Sequence, residues 1–579
     1  RRELTRAFEE AMNGEKADVA TSSKDDYQCN SAFRMAKQMR KSPKDIAKIL
    51  SEHVNANASD MVEHTEVSGP GFVNVRLKSS WIRDAASNVI QSANRESGGL
   101  DMKDSERKGS VFIDFASPNM SKELHVGHLR SSVIGDTLSR IFASRGHHVE
   151  RVSHVGDWGP PIAMVIEELR ERSENYSDQE FLSTLSARML GEAYVRAKQR
   201  MTQDSDFETR VSQTLLELQR SDPNDVHNVG SARYAWHVVC DTSRRECEEI
   251  FRRLDVNVKE RGESTYEAHV ENMISSLEQK EKILETLENG ALQVRWDAEN
   301  VNDDERKTMV IRRADGTSLY STIDLTALRE RLRSGYDRII YVTDHSQASH
   351  FESVFRVADK MEWNDSLVSL EHCACGLVKG EDNRKLSSRR GDAPSLGMLL
   401  DDVKVSASSH VDSNQDEDDL AEIVMRGAVR YWELSHHRRS DYTFSPKKMF
   451  DSSGNTSIAM IYACARIRSL RENAGSSWPD SLSDVTRSLI DRLEARERAV
   501  LLTIAQYPDV LDQVVRDLTP HLLCEYLHRL TSDFHSFYSN EKILGSQEEA
   551  SRLALCAGVD EVLRSGLSLL GVPVPRGRF

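Results

Sequence analysis

At 579 residues the chain exceeds one ordinary domain of about 100–200 residues, and roughly three to five domains are expected. Lys and Arg total 77 against 93 Asp and Glu, a net charge of −16, and 38% of residues are hydrophobic, which excludes a disordered chain. No window approaches about 18 uninterrupted apolar residues, so a membrane-spanning helix is excluded.

Residues 1–99 read as a small α+β unit, with a helical pattern around 31–51. An extended run follows from Glu66 to Leu77, interrupted by Gly69-Pro-Gly. The polar stretch Gln91 to Lys108 reads as a linker. A second region, 100–400, opens with a buried strand at Val111–Phe115, a helix at Val126–Ser144 and a strand at His148–Val155. Strand, loop, helix and strand make a βαβ unit, the signature of a parallel sheet. Residues from about 161 to 262 are helical and strongly charged, and read as an insertion between halves of that sheet. The sheet is expected to resume at Thr308–Arg312 and Ile339–Val342. Residues 401–420 read as an acidic linker, and 421–579 as helical throughout. Runs such as Glu497–Ala505 and His521–Tyr538 carry apolar residues at i, i+3 and i+4.

Eight cysteines form no CxxC pair and no Cys/His frame, which points to reduced thiols in a cytosol-like compartment. Cys373 and Cys375 read as buried strand residues. Acids and bases cancel over 421–579, so the negative charge lies in the first 420 residues. Within 421–470, eight basic residues face four acidic ones. This local excess fits either a docked phosphate backbone or a solvated helix face.

The strand at 111–115 leads into Ser117-Pro-Asn119 and His125-Val-Gly127-His128, just before the helix. Gly127 lets a ligand approach the backbone, and a helix N-terminus favours anions. His125 and His128 share one face and suit a phosphate on which charge develops. No G-x-x-x-x-G-K-[ST] loop is present, which argues against a P-loop enzyme.

These motifs belong to an ordered set. Asp26-Tyr-Gln-Cys-Asn30, Gly69-Pro-Gly-Phe72, Ser117-Pro-Asn119, His125-Val-Gly-His-Leu-Arg-Ser131 and His154-Val-Gly-Asp-Trp-Gly159 come first. Gly262-Glu-Ser264, Asp315-Gly-Thr-Ser-Leu-Tyr320, Tyr341-Val-Thr-Asp344, Gly454-Asn-Thr456 and Tyr462-Ala-Cys-Ala-Arg-Ile467 continue it. Colinear over nearly the whole chain, they resemble class I aminoacyl-tRNA synthetases, specifically the arginyl-tRNA synthetase family.

The resemblance implies a multidomain α/β fold: a Rossmann-like parallel-sheet catalytic domain with a helical insertion, an N-terminal α+β domain that contacts tRNA, and a C-terminal all-α anticodon-binding bundle. It implies a cytoplasmic, monomeric enzyme that joins L-arginine to tRNA with ATP and Mg²⁺, and that needs tRNA to activate arginine. His125, His128 and Lys122 would be catalytic, and with Gly127, Lys385, Ser387 and Arg389 would bind ATP. Asn119, Glu263, Tyr320, Asp324 and Gln347 stand where the family holds arginine. A carboxylate such as Asp324 holds a guanidinium through two parallel hydrogen bonds, which an ammonium cannot reproduce. Tyr462 and Tyr538 fall where the family places aromatics against anticodon bases, although a tyrosine on a helix bundle equally suits the core.

Two departures stand out. Pro160-Pro161 replaces the Thr-Gln that commonly follows Gly-Asp-Trp-Gly, so the loop after Trp158 is expected to differ in shape. In the segment Gly380–Gly391, Ser388 stands in place of the second lysine of the class's Lys-Met-Ser-Lys-Ser loop. Members lacking that lysine carry one just before the first His of the signature, where Lys122 stands. A cysteine-specific relative would need a zinc frame, which the sequence lacks. A non-catalytic tRNA-binding paralogue would explain the two departures, but not the intact His125, His128, Glu263, Asp324 and Gln347.

Overall fold

The computed structural model describes residues 1–22, 24–93, 108–280, 283–296, 307–364, 367–380, 395–410, 417–489 and 494–575. The chain forms two compact units. One joins Arg1–Met102 to Ser452–Leu569 and Val574–Phe579, and the other comprises Lys103–Asp451 with Leu570–Pro573.

In the first unit, strands Val19–Thr21, Tyr27–Cys29, Phe72–Leu77 and Val62–Ser68 pair in that order as an antiparallel sheet. The last two form a hairpin whose turn has Gly71 at φ +155°, where a Cβ would lie 2.8 Å from Pro43. The helices of this unit include Ser457–Ala474, Ala495–Ala505, His521–Asn540 and Glu549–Leu569. A buried fork ties them to the sheet: Arg498 donates to both Asp26 carboxylate oxygens at 2.8 and 2.7 Å, and to the Leu77 carbonyl at 2.9 Å.

The second unit is built on five parallel strands: β1 (Ser110–Asp114), β2 (His148–Ser153), β3 (Lys259–Glu260), β4 (Arg338–Tyr341) and β5 (Ser369–His372). Their order is β5-β4-β1-β2-β3. The direction of winding reverses between β1 and β4, and a ligand crevice is expected at the carboxyl ends there. Helix α1 (Val126–Ser144) follows β1 and is buried along most of its length. Between β2 and β3 come α2 (Pro160–Arg172), α3 (Ala187–Arg200), α4 (Ser205–Arg220) and α5 (Ala232–Leu254). This helical insertion shares one core with the sheet, in which Ile166, Leu190 and Ala235 join Phe112 and Tyr341. Helices α6 (Tyr320–Arg333) and α7 (Ala348–Lys360) flank β4, and α8 (Leu396–Ser408) and α9 (Glu417–Ser435) follow β5.

Three expectations need revision. Thr308–Arg312 is not in the parallel sheet: it pairs antiparallel with Leu292–Arg295, which pairs with Leu284–Thr286. Only Ile311 of this strand is buried, and a short apolar run does not encode which sheet it joins. The 401–420 stretch is not a plain linker, since α8 and α9 cover both of its ends. Leu396, Leu399, Leu400, Val403 and Ala407 bury one helical face, and Asp401 and Glu422 each hold Arg253 at 2.8 Å. The unit that carries the sheet therefore runs on to Asp451. Finally, the basic excess of 421–470 is not all surface. Arg430 is fully buried on Asp136 at 2.7 Å, and Arg438 is buried on the Ala374 carbonyl at 3.0 Å. The polar stretch 94–107 lies outside the described residues.

Asp136 also accepts from Arg140 at 2.7 Å, and burial alone would raise its pKa, yet the two guanidiniums hold it below the usual carboxylate range. Asp136→Asn leaves Arg430 buried without its counter-charge. The expected loss is about 3–5 kcal/mol of stability, read as a lower urea midpoint for this unit. An unchanged midpoint would show that the pair is not structural.

Candidate active site

The signature loop is organised by backbone hydrogen bonds to its own histidines. His125 caps α1, and its Nδ1 accepts the Gly127 N–H at 3.1 Å, while His128 Nδ1 accepts the His125 N–H at 3.1 Å. Nδ1 of each ring is thus engaged by the backbone, which leaves Nε2 as the nitrogen that carries the proton of a neutral imidazole. The rings lie 4.0 Å apart. Burial, then the neighbouring His125 and Lys122, push the His128 pKa well below that of a free imidazole, so it stays neutral. A Cβ at Gly127 would come within 2.8 Å of the His125 ring, so the glycine is required by the fold of that ring over the helix start.

The turn into this loop is tight. Ala116 and Ser117 both adopt positive φ, 70° and 39°. Ser131 Oγ accepts the Ala116 N–H at 2.9 Å and donates to the Val342 carbonyl at 2.6 Å, so the ends of β1 and β4 are joined at the point where the sheet reverses.

Beside the loop lies a cavity of about 310 Å³. Asn119, Glu263 and Tyr320 come together in its wall, with Trp158, Pro160, Pro161 and Arg313. Asn119 Oδ1 accepts from Ser121 Oγ at 2.5 Å, which fixes the amide. Gly262 has no room for a side chain: a Cβ would be 2.3 Å from Asp157, whose carboxylate accepts from Ser264 N and Oγ at 2.9 and 2.6 Å. Glu263 thus follows a rigid turn. Pro160 and Pro161 begin α2, where the first helical N–H groups have no intrahelical partner, so the departure from the family pattern is absorbed without breaking a hydrogen bond.

Asp324 lies one turn along α6 from Tyr320 and is flanked by two imidazoles. His350 Nε2 is 2.7 Å from Oδ2 and His154 Nε2 is 3.4 Å from Oδ1. The His350 ring also lies 4.9 Å from that of Tyr320. Burial alone would raise the Asp324 pKa, but hydrogen bonds from His154 and His350 outweigh it and hold the carboxyl well below the usual range. Glu263 goes the other way. Burial, then the charges of Asp324 and Asp157, push its pKa well above an ordinary carboxyl.

Behind Asp324, Arg331 Nη2 lies 3.3 Å from His154 Nδ1, and Arg331 Nη1 pairs with Asp114 at 2.8 Å. A guanidinium can only donate, so His154 Nδ1 accepts and its proton sits on Nε2, facing Asp324. In the sequence His154 is only part of a motif. Arg331, seven residues after Asp324 on the buried face of α6, was open to detection as a charge within an otherwise apolar helix face.

Not every expected residue joins this cluster. Gln347 is exposed at the start of α7 and is not part of the cavity wall. Lys385, Ser387, Ser388 and Arg389 lie outside the described residues. Cys373 and Cys375 are buried just after β5, and among the described residues no three His, Cys, Asp or Glu cluster as metal ligands. In the other unit, Tyr462 and Tyr538 come from adjacent helices, and each ring lies 5.3 Å from the Arg466 guanidinium between them. Tyr462 is 47% exposed. Among the described residues no helix is long and apolar enough to cross a membrane.

Residues 90–446 match the catalytic domain of class I (R) tRNA synthetases, 460–577 a DALR anticodon binding domain, and 1–77 an arginyl tRNA synthetase N terminal domain. An arginine–tRNA ligase from a Synechococcus species is 36% identical over 95% of this chain and 92% of its own. One from a Cyanothece species is 36% identical over 99% and 97%. The solved arginyl-tRNA synthetase from Plasmodium falciparum superposes with a TM-score of 0.80 at 27% identity, covering 99% of this chain and 98% of that one. With these matches over all three regions and the signature histidines at the switch point of the sheet, the chain belongs to the arginyl-tRNA synthetase family of class I tRNA synthetases.

Proposed function

We propose that this chain joins L-arginine to its tRNA in two steps at the β1/β4 crevice. In the first, the arginine carboxylate attacks the α-phosphorus of ATP, the α–β phosphoanhydride bond breaks, and pyrophosphate leaves arginyl-adenylate. In the second, a hydroxyl of the terminal ribose of tRNA attacks the arginyl carbonyl and AMP leaves. No protein nucleophile is needed, so catalysis rests on positioning and charge stabilisation. The observation that carries this reading is that two neighbouring carboxyls, Glu263 and Asp324, lie in the same sheet unit as the paired imidazoles of His125 and His128 at the start of α1.

In this reading His125, His128, the backbone at Gly127 and Lys122 engage the ATP phosphates, together with Lys385, Ser387 and Arg389. Mg²⁺ enters on ATP as part of the substrate. Asn119, Tyr320 and Gln347 orient arginine, and Asp324 and Glu263 select its guanidinium. Tyr462 and Tyr538 stack on anticodon bases, with Arg466 between them offering charge to the backbone. The N-terminal domain of 1–99 and the helices toward the C-terminus hold tRNA, and residues 100–400 carry the chemistry. The enzyme works as a cytoplasmic monomer.

Asp324→Asn removes the charge-assisted fork and is expected to cost about 2–4 kcal/mol in kcat/KM for arginine, with KM for ATP nearly unchanged. Equal losses for both substrates in an aminoacylation assay would make Asp324 structural and sink the pocket assignment. Because the Glu263 pKa is raised, acidification neutralises it before ordinary carboxyls, and one counter-charge for arginine disappears. KM for arginine should climb as pH falls through that raised value. Glu263→Gln should start from a higher KM and be flat across the same window; a slope that survives the substitution assigns the titration elsewhere. Tyr538→Ala should weaken tRNA binding more than Tyr538→Phe, since stacking needs only the ring. Filter binding that ranks the two equally would remove Tyr538 from the tRNA site.

A further inference from the structure

The third side of the signature loop is built by the helical insertion, and it bears on Lys122. Helix α3 starts under a Ser186 cap and approaches the loop at Gly191, where a Cβ would sit 3.9 Å from the Glu123 backbone N. No side chain intervenes at that position. One turn on, the same face of α3 presents Tyr194, and Lys122 Nζ lies 4.0 Å from the centre of its ring. The ammonium is also near enough to His128 to lower its pKa. Helix α5 fixes the loop from another side, with Ser243 Oγ donating to the Met120 carbonyl at 2.7 Å. The Lys122 backbone N–H is itself bound to the Asn119 carbonyl at 3.2 Å. The loop backbone is thus held by α5 and by its own turn, while the lysine head group rests on an aromatic face of α3.

A lysine carries about 2 kcal/mol of rotamer freedom on a four-carbon stem, so a point charge on such a stem is poorly placed unless something holds it. An aromatic face attracts an ammonium through the ring quadrupole, and the Tyr194 ring gives the Lys122 head group a fixed contact beside the signature loop.

We propose that Tyr194 is a positioning residue of the insertion, whose ring holds the Lys122 ammonium beside the signature histidines, ready for the ATP phosphates. The inference rests on the reading of Lys122 as the phosphate-facing cation, and the test separates the two. Four variants are compared in aminoacylation with the full-length enzyme: Lys122→Ala, Tyr194→Leu, Tyr194→Phe and Lys122→Ala with Tyr194→Leu. Loss of a preorganised donor should lower kcat for Lys122→Ala about 10²–10³-fold. Tyr194→Leu keeps the bulk but not the π face and should lower kcat about 3- to 10-fold, with KM for arginine unmoved. Tyr194→Phe should restore the rate. In the Lys122→Ala background Tyr194→Leu should add nothing, a non-additivity that loss of packing would not give. Lys122→Ala at the wild-type rate overturns the lysine assignment itself. An impaired Lys122→Ala beside a wild-type Tyr194→Leu leaves the lysine in place and overturns the role of Tyr194. A Tyr194→Leu loss that persists at full size in the double variant, or that Phe fails to restore, likewise makes Tyr194 structural.

Discussion

Arg331 is a guanidinium almost without access to water, its side chain 2% exposed, and the crevice is organised around its counter-charge and the rings it packs against. It stacks on the Phe112 ring at 4.6 Å and the Tyr341 ring at 5.1 Å, which belong to the two strands that flank the reversal of the sheet. Its counter-charge, Asp114, ends β1 and also accepts from Ser117 Oγ at 3.0 Å and the His154 N–H at 3.3 Å. One buried ion pair therefore holds α6, the end of β2 and the turn before the signature loop in a fixed relation. Breaking such a pair from one side costs about 3–5 kcal/mol, because the surviving charge stays buried. The position of Asp324 follows from this, since it rides on the same helix as Arg331 and is aimed by the histidine that Arg331 orients.

The insertion serves the site more directly than a peripheral decoration would. Trp236 of α5 donates to the Asp157 carbonyl at 2.7 Å, and Arg233 lies over both Trp158 and Trp236, at 5.1 and 4.2 Å. Trp158 in turn donates to Glu267 at 2.9 Å. The segment carrying Gly-Asp-Trp-Gly, which forms one wall of the cavity, is clamped between the insertion and the turn that bears Glu263. A rigid wall lets the two prolines that follow contribute shape without backbone hydrogen bonds of their own.

Much of this was legible in the sequence because the informative signals are local. The helix 126–144 begins and ends where its pattern says, and the strand before it carries the apolar run Val111-Phe112-Ile113, as a strand buried on both faces does. Asn119, Glu263 and Tyr320 could be named from motifs, since each sits in a turn or helix start with its own spacing. What was not legible is pairing at a distance. Thr308–Arg312 has strand composition but no mark of the sheet it joins. The acidic tract at 401–420 reads as solvent-loving because Asp401 and Glu422 meet Arg253 only in the folded chain. Arg430, read as a surface cation, finds Asp136 at 294 positions' remove. Composition reports charges, and folding decides which of them cancel.

Glu263 in the cavity wall and its neighbour Asp324 show how adjoining positions set opposite protonation tendencies in chemically similar groups. Asp324 is hydrogen-bonded to His350, faces His154 Nε2 at 3.4 Å and stays ionised, while Glu263 receives the Trp158 backbone N–H and otherwise faces burial and like charge. Two bare carboxylates side by side would repel, and the pair relieves this by letting Glu263 hold its proton more tightly. A guanidinium reverses that balance, because its spread of five donors can engage both acids and compensate both charges. An ammonium concentrates its charge at one point and cannot span two carboxylates on separate elements with planar forks. Arg331 occupies Nδ1 of His154, so that ring presents its Nε2 to Asp324. The carboxylate of Asp324 is thus oriented through His154 by a buried cation that is itself paired with Asp114.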